Sequence, residues 1–233
     1  GARFIAPAPF SMQNLFKSRA LSGFELLLGS FIVIGHNVFR TVPNEVLLLF
    51  AVGLISIRFR EGQLSAIGLK RPENWKRIIL IAAAAAALRI VLGEYLIVPI
   101  GEKFWPNPVS VPDEAYKIIG NPGYALIAFV IVWIFAAFGE EFAYRGYLLT
   151  RAADLGKQSP VAYGFAVIFT SVLFGYGHYY KEPAGIIDSG IAGLILGFAY
   201  LLAGRNLWAS ILGHGFIDTF GIIVLFLGWD TPD

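Results

Sequence analysis

From Tyr124 to Phe138 the chain runs fifteen residues without a charge, and it then sets two glutamates and an arginine into the same stretch, F-G-E-E-F-A-Y-R-G-Y-L-L from Phe138 to Leu149. Few folds are open to such a run. In lipid no water satisfies the backbone, so the segment must be an α-helix. The carboxylates then become the constraint, because an ionised side chain at membrane depth costs roughly 2.5–3.5 kcal/mol on insertion scales and faces a bundle interior or a watery cavity. Helical spacing sets Glu141 over Arg145 and Glu140 over Tyr144, with the two carboxylates about 100° apart around the axis. Glu141 therefore has a local cation and Glu140 has none. An acid without a partner on its own helix meets one on another helix or lines a cavity.

The rest of the chain supplies the other helices. Hydrophobic residues make up 57% of it and charged residues only 15%, against roughly 25% charged in a soluble domain, so the expected fold is all-α, a polytopic membrane helix bundle. Seven stretches approach spanning length: Leu21 to Phe39, Val42 to Ile57, Ile78 to Ile100, Tyr124 to Leu149, Val161 to His178, Ile186 to Leu202 and Leu207 to Gly228. The second is short, and the fourth is long enough to project beyond the hydrocarbon. Four divisions follow: an interfacial N-terminal segment (1–20), three transmembrane helices with an outer loop (21–123), a core of four transmembrane helices (124–228) and a tail (229–233). The Gly-Ala start is expected to be processed or engineered, and nothing there resembles a cleaved signal peptide.

Charge and cysteine content exclude several classes. A net charge of +2 is too small to point to nucleic acid, and the absence of cysteine removes disulfides, zinc-thiolate sites and a cysteine nucleophile together. Sorting Lys and Arg by the loops gives 13 on one side, including the basic loop Arg58 to Arg77, and 4 on the other (Arg40, Lys103, Lys117, Lys181), with Arg89 inside the third span. The positive-inside rule then places the N-terminus in the cytoplasm and the C-terminus outside, in a bacterial inner membrane. The basic loop is expected to touch lipid headgroups. The outer loop, with Pro106, Pro108 and Pro112, either caps a cavity or connects two helices.

Candidate partners for Glu140 are few. Of three histidines, two share a setting: Phe174 and His178 stand four apart in F-G-Y-G-H, and His214 and Asp218 four apart in H-G-F-I-D. Glycines flank both histidines, at Gly175, Gly177, Gly213 and Gly215, as close approach of helices or a small cavity requires. Several polar residues have simpler readings. Glu141 with Arg145 is first of all an orienting ion pair, and His36 is a helix-packing histidine. Arg89, five residues from Glu94, is expected to pair with an acid on another helix. Glu25 reads as interfacial, Gly190, Gly193 and Gly197 as small-residue packing, and the run Ala82 to Ala87 as a packing surface. An unpartnered Glu140 together with His178, His214 and Asp218 is a set that packing alone does not explain.

E-E-x-x-x-R at Glu140, Glu141 and Arg145, F-x-x-x-H at Phe174 and His178, and H-x-x-x-D at His214 and Asp218, in that order on separate spans, resemble the CPBP family. These are the CAAX proteases and bacteriocin-processing proteins, also called Abi, similar to the Ras-converting CAAX prenyl protease of eukaryotes. Each motif alone is weak; the ordered set, from about Ala136 to Thr219, is specific. The resemblance implies an intramembrane endopeptidase with water as nucleophile, acting on a membrane-associated substrate, prenylated or small and hydrophobic. Glu140 and His178 would hold and activate the water, His214 and Asp218 would stabilise the oxyanion, Glu141 and Arg145 would orient the first motif, and Phe174 would line the cavity. A desolvated carboxylate is a competent general base, and imidazole N–H groups in a water-poor cavity are effective oxyanion donors.

Two mechanisms stay open on the sequence alone. Many members carry Asn where this chain has Asp218, and an ionised Asp cannot donate to an oxyanion. Glu140, His178, His214 and Asp218 would also make a set of acceptable ligand types for a divalent metal such as zinc; otherwise no cofactor is expected. There is no H-E-x-x-H, so the chain is not a zincin. The lipid bilayer is the expected partner, with a membrane-complex partner under the second reading, a catalytically silent scaffold on the same fold. A third is an ion- or proton-conducting protein using the same buried groups. Depth adds a condition. At 1.5 Å per residue, His178 lies roughly 25 Å along its span, against roughly 15 Å for Glu140 and about 10 Å for His214, so convergence requires the fifth span to start late or to tilt.

Overall fold

The computed structural model describes residues 18–105 and 113–229, and these are helical, with no strand among them. Seven helices carry the fold: α1 Arg19–Asn37, α2 Glu45–Arg60, α3 Trp75–Gly101, α4 Pro122–Leu155, α5 Pro160–Tyr176, α6 Glu182–Leu202 and α7 Leu207–Phe226. Each coincides with one of the seven apolar stretches. Five are long and apolar enough to cross a membrane: α1, α3, α4, α6 with the short turn before it, and α7. This is an integral membrane protein. At 16 and 17 residues, α2 and α5 fall short of that length. The N-terminal segment before Ser18, the outer-loop prolines Pro106, Pro108 and Pro112 and the tail after Trp229 lie outside the described residues.

Polar residues set where the helices start, more sharply than hydropathy does. Ser18, Asn44, Asn74, Asn121, Ser159 and Asn206 each stand at an N-cap and accept a backbone N–H from the first turn, and Pro122 and Pro160 fill first-turn positions where no donor is needed. Helix α3 therefore starts at Trp75, three residues before the apolar run. Helix α4 is 34 residues long, about 50 Å at α-helical rise, and it is not uniformly α-helical: π-helical turns occupy Val132–Glu140 and Phe142–Leu148, on either side of Glu141. The wider turns change which residues share a face.

Packing uses the small residues where the sequence placed them. On α6, a Cβ at Gly193 would stand 3.0 Å from Ser171 and one at Gly197 2.8 Å from Val167, which brings α5 and α6 close together. Ala82, Ala85 and Ala86 are buried, and the Ala82 backbone lies under Gly213 of α7. Two expectations are corrected. Glu25 is not interfacial: it is buried, bonded to Ser56 and paired with Arg60 and Arg151. Arg151, read as a loop cation, is fully buried and also binds Glu61 and Asp154. Alternating charges from α1, α2 and α4 thus interlock at the end of the bundle far from His178, since a buried guanidinium is tolerated only with carboxylates around it.

The basic loop does more than meet solvent. Its turn Leu64–Ile67 buries Ile67 beside Gly146 of α4, and the Gly68 carbonyl accepts the Leu207 N–H at 2.9 Å, seating the start of α7. Gly68 sits at φ 89°, where a side chain is strained, and a Cβ there would collide with the Arg205 carbonyl oxygen. Gly68→Ala is expected to cost about 1–3 kcal/mol, read as an earlier thermal unfolding transition of the purified protein.

Candidate active site

One residue from each of the three motifs meets the ring of Phe174. Buried near the C-terminal end of α5, it receives the Arg145 guanidinium over its face at 4.4 Å, the His178 ring at 4.7 Å between centroids, the Tyr144 ring edge-on at 5.0 Å and the His214 ring edge-on at 6.1 Å. A cation on an aromatic face and perpendicular rings are the arrangements the ring quadrupole favours. Three helices are registered against one another by this single side chain.

Glu141 and Arg145 pair as their spacing requires, at 2.8 Å with both side chains almost wholly buried. The pair does not stand alone. The same Glu141 oxygen, Oε1, also meets His214 Nδ1 at 2.8 Å, so one carboxylate holds both the cation of its own helix and the imidazole of α7. With Nδ1 directed at Glu141, His214 turns Nε2 towards Asp218, whose Oδ2 is 3.6 Å away. His178 is fixed differently. Helix α5 ends at Tyr176, two residues before it, so His178 sits in the turn rather than on the helical face; its Nδ1–H donates to the Phe174 carbonyl at 3.0 Å, which leaves Nε2 as an acceptor.

Glu140 differs from its neighbour. It makes no hydrogen bond or ion pair among the described residues, and its Oε2 is buried without a partner. Its electrostatic neighbours are His214, Glu141, Asp218 and Arg145. His178, His214 and Asp218 line one cavity of about 80 Å³ together with Phe174; Glu140 is not among the residues lining it. Glu45 is a member of this region that the sequence does not announce. It is buried, accepts from Tyr144 Oη at 2.9 Å and from Asn37 Nδ2, and faces Glu140 electrostatically. An acid just after an Asn cap reads as a helix-dipole residue, which is why its sequence setting gives no warning.

The glycines flanking the histidines mark close approaches. A Cβ at Gly175 would lie 2.6 Å from the Ile186 carbonyl, at Gly177 2.7 Å from Tyr144 Oη, at Gly213 3.0 Å from Leu196 and at Gly215 2.5 Å from Trp133. Depth is reconciled from both ends. Helix α4 runs on to Leu155, so Glu140 lies roughly 22 Å from that end, and α7 starts inside the bundle, with Asn206 and Leu207 both buried. His214 therefore reaches the level of Phe174 only about two turns into its helix. His36, by contrast, is spent on the Val42 carbonyl at 2.9 Å, and Arg89 pairs with Asp188 of α6.

The donor set does not assemble as a metal centre. Among the described residues no three His, Asp or Glu side chains are grouped to hold a metal ion, and His214 Nδ1 is committed to Glu141.

Residues 122–220 match a family model described as Type II CAAX prenyl endopeptidase Rce1-like. Over this segment the chain is similar to the Rce1-like family. The segment takes in α4, α5, α6 and most of α7, and with them every residue of the three motifs, while α1 to α3, including Glu45 and Arg89, lie outside the match. Comparison with curated proteins and with solved structures finds no match. The family named by that model is a protease family.

Proposed function

We propose that this chain is an intramembrane endopeptidase that hydrolyses a peptide bond of a membrane-associated substrate, of the prenylated CAAX type, with water activated by Glu140. The observation that carries the assignment is the contrast between the paired glutamates: Glu141 is spent on Arg145 and His214, whereas Glu140 keeps a buried oxygen with no partner. A carboxylate with a free lone pair, bonded to no cation among the described residues, is the group able to take a proton from water. His178, held through Nδ1, presents Nε2 as a second acceptor for that water. His214, oriented by Glu141, offers its other nitrogen to the developing oxyanion when the ring is charged and both nitrogens donate. Asp218 faces that nitrogen and would balance the imidazolium.

The membrane reading includes a direction. The asymmetry of 13 against 4 basic residues supports an N-terminus in the cytoplasm of a bacterial inner membrane, which puts Lys181 and the His178 turn towards the outer face. Because the chain has no cysteine, Gln63→Cys and Lys117→Cys can be labelled one at a time. An impermeant reagent added to intact cells is expected to reach Lys117→Cys only, and labelling of Gln63→Cys would reverse the orientation. The proteolytic assignment itself is tested with purified protein in liposomes and a quenched fluorescent prenylated peptide: fluorescence should rise with the parent chain and stay flat with Glu140→Gln. Equal rates for the two would refute it.

A further inference from the structure

The 80 Å³ cavity has a second wall that the catalytic reading does not use. Besides His178, His214 and Asp218 it is lined by Arg89 of α3, Asp188 of α6 and Lys181 from the turn between α5 and α6. Arg89 is held in place by its own helix: a Cβ at Gly93 would collide with Arg89 Nη1, so the guanidinium folds across a position that only glycine leaves open. It donates through Nη2 to Asp188 Oδ2, and its Nε is left buried without an acceptor. One carboxylate bound at one nitrogen leaves most of the five guanidinium donors unused. Lys181 makes no ion pair among the described residues; its ammonium stands 5.7 Å from the Tyr180 ring centroid, and Asp218 and His178 both feel its charge. Two cations with spare donors thus line the pocket that His178, His214 and Asp218 also line.

Arg89 also lines a larger cavity of about 530 Å³ between α3 and α7, with Tyr95, Phe220 and Trp229 on its walls, and Ile217 is shared by both cavities. That volume is in the range of ligand-binding clefts. The guanidinium therefore borders both cavities.

We propose that Arg89 and Lys181 form a receptor for the free C-terminal carboxylate of the substrate peptide. The inference rests on the proteolytic reading for the identity of the ligand, but it concerns binding and is measurable without turnover. A guanidinium fork accepts a carboxylate in addition to the one it already holds, and a flexible ammonium supplies the second charge. An extended peptide covers at most about 3.3–3.6 Å per residue. Anchoring its terminus on the wall of a cavity this small places only a few residues between the carboxylate and a bond held at His178 and His214, so Arg89 and Lys181 would fix the distance of cleavage from the chain end. Neither residue belongs to the three motifs, and Arg89 lies outside the matched segment.

The test uses the full chain in nanodiscs and three fluorescent apolar peptides of equal length: a free acid, its C-terminal amide, and an amide carrying one internal Glu. Binding is read by polarisation. The parent chain is expected to bind the acid about tenfold more tightly than either amide, the factor that one charge-assisted contact supplies. Lys181→Gln and the paired change Arg89→Gln with Asp188→Asn, which leaves no lone buried charge, should each bring the ratio towards one while leaving amide binding unchanged. Gly93→Ala, which displaces Arg89 and keeps its charge, should reduce the ratio as well. Equal binding of acid and amide by the parent, failure of the acid to bind, a glutamate-bearing amide that binds as well as the acid, or a preference that survives in both variants would overturn the proposal. Preferential binding of the acid by a chain that cleaves nothing would uphold the receptor and count against the protease.

Discussion

Glu140→Gln is expected to lower kcat/KM by at least about 100-fold, the low end of what a general base contributes, and to leave thermal unfolding where it is. Both parts follow from the surroundings of the side chain. The carboxylate has no hydrogen bond or ion pair to lose among the described residues, and its Oε2 is already buried without a partner. An amide of the same shape is easier to bury than a carboxylate, so folding gains or breaks even. The amide cannot take a proton from water. Loss of activity with the unfolding temperature unchanged, measured on the same preparation, identifies a chemical role. A fall in both would place Glu140 in the packing.

The reverse pattern is expected next door. Glu141→Gln removes the negative charge that Arg145 and His214 share through Oε1, and Arg145 is only 1% exposed. Breaking a buried ion pair from one side costs about 3–5 kcal/mol, because the remaining charge has no solvent to turn to. Unfolding should move to distinctly lower temperature, with a partial loss of activity as His214 loses its orienting carboxylate. The loss is coupled to Arg145: adding Arg145→Met, which removes the stranded charge, should restore part of the stability, so the double variant is less damaged than the sum of the single ones. Additive losses would mean that the pair is not the unit described.

Much of this arrangement is legible in the sequence, and the reasons it is legible also mark where it stops. Apolar runs interrupted by charge locate the seven helices, five of them long and apolar enough to cross a membrane, where lipid leaves helix as the only answer. The starts of α2 and α3 lie three residues from the apolar runs, because hydropathy does not see the Asn caps that begin them. The i,i+4 spacing predicts the Glu141–Arg145 pair, and by satisfying Glu141 within its own helix it hides the bond to His214. Four-residue spacing also puts His178 on the face of α5, whereas the helix ends at Tyr176 and the ring returns to Phe174 from the turn. The π-helical turns around Glu141 carry no compositional mark. Arg60 and Arg151 each look like a cation of its own loop and Glu25 like an interfacial acid, and only packing of α1, α2 and α4 reveals them as one buried network. Glu45 escapes for the same reason: its partners, Tyr144 and Asn37, lie on other helices.

The central claim is that water beside Glu140 attacks the peptide carbonyl directly, with no side chain acylated on the way. It is tested by cleaving a prenylated CAAX-type peptide with the parent chain in liposomes made up in ¹⁸O-water with added hydroxylamine, and weighing the fragments by mass spectrometry. Direct attack predicts a new C-terminal carboxylate carrying one ¹⁸O atom, no hydroxamate and no mass added to the protein. A hydroxamate product, an acylated chain, or an intact peptide after prolonged incubation would contradict it.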